Sequence, residues 1–248
     1  MDLGLTGKTA IVTGAGSGIG AGIAARFCAE GANVVVADVN LEAAEAQAQK
    51  LREAGYNALA VGVNVIDEAA VNAMVEKAVA EFGRIHILVN NAGLARDMRI
   101  TKMTTNDWDI VLDVILKGSF YCTRAVVPHL VEQKWGRIVN ISSRAHLGNP
   151  GQANYSAAKA GIIGFTRAMS LELGRHFVTV NAVAPGIIET PLVNSLPHWD
   201  KVRENAEKTT PVPRIGQPAD IADAVVFLAS ENAGYISGDV LHVTGGRY

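Results

Sequence analysis

Thr9-Ala10-Ile11-Val12-Thr13-Gly14-Ala15-Gly16-Ser17-Gly18-Ile19-Gly20 runs from a β-branched, apolar stretch straight into four alternating glycines. Glycine allows positive φ and lets backbone approach a ligand closely. An apolar helical pattern follows near 18–30. A strand, a glycine turn and a helix in that order place free N–H groups and the positive end of a helix dipole where a pyrophosphate could sit. An ordinary strand-to-helix turn would need one glycine, not four. The spacing is G-x-x-x-G-x-G, since Ile19 stands where the commoner G-x-G-x-x-G has its last glycine.

The rest of the chain repeats the alternation. Further strands are expected at Asn33–Ala37, Ala58–Val63, Ile85–Val89, Arg137–Ser142, Val178–Val183 and Val240–Val243, with helices near 41–54, 67–82, 105–132, 152–173 and 218–230. Strands that are apolar throughout suit a parallel sheet covered on both faces. The expected fold is therefore α/β, a doubly wound Rossmann-type parallel sheet of about seven strands forming one domain over 1–248. The stretch 184–214, rich in Pro and polar residues, reads as a long loop and a candidate substrate lid.

With 248 residues, 49% of them hydrophobic, the chain can build one large core. A formal net charge of −2 without a basic block or acidic tail argues against nucleic acid or an anionic membrane as partner. Cys28 and Cys122 each lie in an apolar helical pattern and read as buried free thiols. The N-terminus lacks a signal-peptide core, and no apolar run reaches the roughly 18 residues of a membrane helix, so a soluble, cytoplasmic protein is expected. No Cys/His cluster has metal-ligand spacing, so no catalytic metal is expected. A Ser-His-Asp hydrolase is disfavoured because no G-x-S-x-G elbow occurs.

Asp38 closes the second expected strand, 18 residues after Gly20. A carboxylate there can accept hydrogen bonds from the adenosine ribose and would repel a 2′-phosphate. Ser17 sits in the loop, with no Arg or Lys in it or just after Asp38. Both observations favour NAD over NADP.

Tyr155 and Lys159 are four residues apart in Tyr-Ser-Ala-Ala-Lys, so a helix puts the phenol and the ammonium on one face. A nearby positive charge favours the phenolate and is expected to lower the tyrosine pKa. Beside a phosphate loop, a tuned Tyr points to proton transfer coupled to hydride transfer. Ser143 ends the apolar run upstream.

These residues, with Asn90-Asn91-Ala92-Gly93, Pro185-Gly186 with Thr190, and the terminal Thr244-Gly245-Gly246, resemble the short-chain dehydrogenase/reductase superfamily over nearly the whole chain. Asn90–Asp97, Lys102–Thr104 and Gly148–Tyr155 look most like 3-oxoacyl-carrier-protein reductases, although many secondary-alcohol dehydrogenases are similar. The resemblance implies Tyr155 as general acid/base, Lys159 as holder of the nicotinamide ribose, and Ser143 as the hydrogen-bond donor to the substrate oxygen. It implies cofactor contacts from Gly14, Gly16, Ser17, Gly18, Ile19, Gly20 and Asp38. Asn64 and Val65 would flank adenine, with Asn64 where the family has Asp. Asn90, Asn91, Ala92 and Gly93 would line the ribose path, and Pro185, Gly186, Ile188 and Thr190 would position the nicotinamide carboxamide. A homotetramer built on the helices near 105–132 and 152–173 and on the last strand is implied too.

Two departures stand out. The loop from the serine pair to Tyr155 is one residue short. Counting from Ile138-Val139-Asn140-Ile141 selects Ser143, and counting back from Tyr155 selects Ser142. Loops absorb deletions more readily than strands, which favours Ser143. Second, Ile115 stands where the family has the Asn that supports a water chain from the lysine. His146 and Arg144 read as solvated loop residues, and Trp199 and His198 as lid or surface contacts. Lys134, Arg175 and His176 could form a basic patch for an acidic carrier protein. The chain is thus expected to be an NAD(H)-dependent oxidoreductase of secondary alcohols and ketones, acting as a 3-oxoacyl thioester reductase or as a 3-hydroxyacyl or secondary-alcohol dehydrogenase. A different class, an NAD-binding sensor or structural subunit with impaired turnover, rests on Ile115 alone.

Overall fold

Seven strands form one sheet in a computed structural model that describes residues 2–195 and 199–247. They are β1 (Thr9–Thr13), β2 (Asn33–Asp38), β3 (Ala58–Gly62), β4 (Ile87–Asn90), β5 (Gly136–Ile141), β6 (Val178–Pro185) and β7 (Val240–Val243). Their spatial order is β3-β2-β1-β4-β5-β6-β7, and every neighbouring pair is parallel. The direction of winding reverses between β1 and β4. In such a sheet, the crevice beyond the carboxyl ends of the strands at that switch is where ligands bind.

The helices are α1 (Gly18–Ala29), α2 (Leu41–Glu53), α3 (Glu68–Phe82), α4 (Thr105–Leu112), α5 (Gly118–Glu132), α6 (Ala153–Leu173), α7 (Pro191–Asn194), α8 (Trp199–Thr209) and α9 (Pro218–Leu228). Alternation along each strand divides the core in two. Ala10, Val12, Val34 and Val36 pack with Ile23 and Phe27 of α1 and Ile221 and Val225 of α9. Ile11, Val35 and Leu88 face the other way, against Met74 of α3 and Cys122, Val126 and Leu130 of α5. Each such fully buried side chain contributes about 1.5–3 kcal/mol relative to exposure, so the two layers hold the sheet rigid beneath the crevice. Cys28 and Cys122 are buried free thiols, and burial pushes both up to about 12.

Three expectations change. The stretch 184–214 is not a continuous loop, since α7 and α8 lie within it. The helix expected over 105–132 is interrupted by a π-helical turn at Asp113–Lys117. The strand expected at Ile85–Val89 begins at Ile87, because the His86 ring Nδ1 accepts the Thr9 N–H at 3.0 Å and shapes the lead-in. Among the described residues no helix is long and apolar enough to cross a membrane.

Candidate active site

The glycine run turns from the end of β1 into α1. Gly14 has φ +63°, and a Cβ on Gly20 would lie 2.1 Å from the Gly14 carbonyl oxygen, so neither position accepts another residue without distortion. Ser17 is the N-cap of α1, yet its side chain makes no capping bond. The first N–H groups of the helix therefore stay available to a ligand anion. The Thr13 hydroxyl accepts the N–H groups of Asn91 and Ala92 at 3.0 Å each, and Asn91 Nδ2 donates to the carbonyls of Thr13 and Gly14 at 2.8 and 3.0 Å. These bonds lock the ends of β1 and β4 together at the switch point. Asp38 ends β2 beside the loop, where its carboxylate accepts the N–H of Gly16 at 2.9 Å and of Asn40 at 3.0 Å. The glycine cradle, the open helix end and this carboxylate fit a dinucleotide.

Tyr155 lies in the first turn of α6 and Lys159 one turn later. Asn154 fixes that turn. Its buried Nδ2 donates to the carbonyls of Arg96 and Asp107 at 3.1 and 2.8 Å, and its Oδ1 accepts the Tyr155 N–H at 2.8 Å. The Ser143 hydroxyl is a polar neighbour of the Tyr155 hydroxyl that favours its ionised form, and its Oγ accepts the Ala145 N–H at 3.1 Å. Ser142 has a different job: its Oγ donates to the Lys159 carbonyl at 2.8 Å. Lys159 Nζ donates to the Ile141 carbonyl at 2.6 Å and lies 5.5 Å from the centre of the Tyr155 ring.

The electrostatic balance corrects the sequence-based expectation. Burial raises the Tyr155 pKa more than the neighbouring Ser143 hydroxyl lowers it, with Asp97 adding a small further rise. Burial also lowers Lys159 from 10.5 to about 7. A lysine so desolvated is only partly charged near neutral pH, so it cannot dominate its neighbour as an exposed ammonium would.

A cleft of about 470 Å³ joins the two ends of the site. Among its lining residues are the predicted Gly14, Ser17, Gly18, Ile19, Gly20, Asn91, Gly93, Ser143, Tyr155, Lys159, Pro185, Gly186, Ile188 and Thr190. Gly16, Asp38, Asn64, Val65 and Ala92 do not line it. Gly16 and Asp38 stand beside it through their mutual hydrogen bond. Asn64 follows β3, its Oδ1 accepting the Ile66 N–H at 3.3 Å, and Val65 is buried.

Asn90 is a correction. It is buried in the interior, its Nδ2 donating to Thr123 Oγ1 at 3.1 Å and to Asn140 Oδ1 at 2.8 Å, so it ties β4 to β5 and α5 and does not line the ribose path. The proposed basic patch is displaced as well. Lys134 precedes β5, and Arg175 and His176 precede β6, so all three lie at the amino ends of the strands, across the sheet from the cleft. Trp199 is buried, packed with Ala206 and Ile215 and with the cleft residues Ile187 and Val193. His198 falls outside the described residues.

Ile115 sits in the π turn, 1% exposed, in a small apolar cluster with Val111, Ala158 and Ile162, against which Tyr155 packs. Its carbonyl accepts the Ser119 hydroxyl at 2.6 Å. Sequence reasoning missed Leu94, Ala95, Asn149, Gln152, Pro191 and Val193 as cleft residues, and set Arg144 aside as solvated although it lines the cleft. Nothing in their spacing marks them, because they come from loops and from the short α7, whose paths only the folded sheet defines.

A family model described as enoyl-(acyl carrier protein) reductase matches residues 14–247. The chain is 45% identical over 245 residues to the (2S)-[(R)-hydroxy(phenyl)methyl]succinyl-CoA dehydrogenase subunit BbsD of Thauera aromatica, covering 99% of this chain and 98% of that one. It is 42% identical to the 3-oxoacyl-[acyl-carrier-protein] reductase FabG of Thermotoga maritima, covering 98% of each. A solved 7α-hydroxysteroid dehydrogenase, complexed with NADH and 7-oxo glycochenodeoxycholic acid, superposes with a TM-score of 0.94 at 35% identity, covering 99% of this chain and 96% of that one. The chain belongs to the short-chain dehydrogenase/reductase family. It is accordingly an oxidoreductase of the secondary alcohol–ketone class that works with a nicotinamide cofactor.

Proposed function

We propose that the chain interconverts a secondary alcohol and a ketone with NAD(H) in preference to NADP(H). The observation that carries this reading is that Ser143, Tyr155 and Lys159 line the same cleft as the glycine loop. When bound, the nicotinamide supplies the hydride acceptor or donor. Tyr155 Oη takes the carbinol proton on oxidation and returns it on reduction. Ser143 Oγ donates to the substrate oxygen as negative charge develops there. Lys159 holds the nicotinamide ribose, and Pro185, Gly186, Ile188 and Thr190 take the carboxamide side. Ser17 and Gly14–Gly20 hold the pyrophosphate. Asn91, Ala92 and Gly93 border the ribose path, and Asn64 and Val65 flank adenine.

Asp38 supports NAD, because its carboxylate at the end of β2 would meet a 2′-phosphate with like charge. Substrates bound to coenzyme A or a carrier protein are consistent with the names of the two curated relatives. A homotetramer is consistent with exposed apolar side chains on the elements implied for its interfaces: Phe120 on α5, Leu171 on α6 and Leu241 on the edge strand β7. The test is turnover of a panel of secondary alcohols with NAD and NADP. Absence of oxidation and reduction across the panel, with intact NAD binding, would leave a binding protein instead.

A further inference from the structure

Two histidines meet beside the serine. Residues Arg144–Leu147 form a short 3₁₀ turn capped by Ser143, whose Oγ accepts the Ala145 N–H at 3.1 Å and whose carbonyl accepts the His146 N–H at 2.9 Å. From that turn, which follows β5, the His146 ring spans the end of β6 to the edge strand β7. There its Nε2 lies 2.9 Å from His242 Nε2. One residue on, the Val243 carbonyl accepts the N–H of the cleft residue Gly186 at 2.9 Å. The two imidazoles thus join the serine wall of the cleft to the strand that supports the Gly186 wall, and neither ring lines the cleft itself.

The ring centroids are 5.2 Å apart, farther than the nitrogens by the radii of the two rings. The two Nε2 atoms therefore point at each other along one line, as in an N–H···N hydrogen bond. Rings sharing a metal ion would converge on it at an angle. Such a bond needs one Nε2 with a proton and one without, so the pair holds at most one positive charge while it lasts. Burial, and after it the charge of His242, keep the His146 pKa below its usual 6.5, against a smaller rise from its own backbone. The packed elements add few other charges. β6 carries no titratable side chain. On α6, Tyr155 and Lys159 belong to the cleft, and Arg167 and Glu172 lie farther along the helix. On α9, Asp220 is paired with Arg214 and Asp223 with Arg26. Among the described residues, His242 is the one charge felt at His146.

We propose that His146 and His242 are a positioning pair: the proton they share ties the serine turn to β7 and so holds Ser143 in place for the reaction, and a second proton undoes the tie. This rests on the alcohol–ketone reading above. Because His146 ionises below 6.5, the tie is whole at neutral pH and is lost as pH falls through the lower pKa of the pair. Both rings then carry charge at hydrogen-bond distance and repel. Since neither ring lines the cleft, the loss falls on kcat and not on substrate binding.

The experiment uses the NAD-loaded full chain with isotope-labelled histidine rings. By NMR the two rings of the natural chain should titrate as one coupled system, the second proton entering below 6.5. Amide exchange across residues 142–148 should quicken over the same range. His242→Gln should return His146 toward 6.5. Turnover of a secondary alcohol, followed from about pH 5 to 9, should show an acid limb in kcat at that lower pKa, with KM changing less than about twofold. His146→Leu should lower kcat about fivefold to tenfold at neutral pH, the scale of one hydrogen bond, and remove the limb. His146→Gln, whose amide can pair with His242 in either charge state, should recover most of the loss and still lack the limb. Independent titration of the two rings near 6.5 would overturn the proposal, and so would a Leu variant with unchanged kcat and limb, or a loss that falls on KM instead. The NMR comparison on the natural chain stands whether or not the Leu variant folds. Coupled titration with quickened exchange at 142–148, in a chain that turns over no alcohol, supports the tie and removes the dehydrogenase reading, so the two fail separately.

Discussion

At the scale of single residues, burial and the neighbouring Ser143 hydroxyl compete at Tyr155, and burial wins. Tyr155→Phe keeps the ring and removes only the hydroxyl. kcat should fall about 10²–10⁴-fold with NAD affinity near that of the natural chain; turnover within a few-fold of normal would remove Tyr155 from the proton step. Lys159 gives a pH prediction. Its folded pKa of about 7 lies below the ordinary 10.5, so between those values the unfolded chain holds more protons. Stability from this group is thus fully present above pH 10.5, falls as pH drops, and is gone below about 7. The natural chain should gain on Lys159→Met in urea midpoint as pH rises from 7 to 9. A difference flat with pH would show that Lys159 titrates normally.

At the scale of elements, the strands were legible because fully buried β-branched runs have few other readings. β1 and β7 fall at the predicted residues, and the glycine loop and the Tyr155–Lys159 turn stand where the spacing put them. The π turn at Asp113–Lys117 was not legible, because one extra residue in a helical turn barely disturbs a 3.6-residue pattern. α8 was hidden for another reason. Its stretch is mostly charged, and only Trp199 and Ala206 are buried. Its helical form leans on pairs one turn apart, such as Arg203–Glu207 and Lys208–Glu204.

Two predictions belong to these elements. Trp199→Ala should raise KM for the alcohol several-fold while the melting temperature falls only slightly, since the Trp199 cluster is separate from the two main layers. A large drop in melting temperature with KM unchanged would make Trp199 part of the global core. Ile115→Asn puts an amide into the apolar cluster behind Tyr155, at a cost of about 1–3 kcal/mol if unpaired. If proton exit from Lys159 limits turnover, kcat should rise and its pH profile shift. Coincident profiles would place residue 115 outside the proton route.

For the whole molecule, the winding of the sheet decides which residues can act together. The switch between β1 and β4 gathers loops from 14–20, 91–95, 141–145 and 185–193 into one cleft. The same winding sends Lys134, Arg175 and His176 to the far side, which removes them as a docking patch for a carrier at the cleft. Cofactor choice is read at the rim: kcat/KM should favour NADH over NADPH by tenfold or more, and Asp38→Ser should shrink that ratio. An unchanged ratio in the variant would mean that the discrimination lies elsewhere.

Two bonds run in opposite directions between the end of β5 and α6: the Ser142 hydroxyl to the Lys159 carbonyl, and the Lys159 ammonium to the Ile141 carbonyl. They rivet the serine-bearing strand end to the tyrosine-bearing helix. The connection reaches back to the site where the Ala145 N–H donates to Ser143 Oγ at 3.1 Å and the His146 N–H to the Ser143 carbonyl at 2.9 Å, and the residues after His146 are the part open to exchange. Splicing in a loop of different length or charge offers a way to change which molecules are oxidised while the machinery beneath keeps its alignment.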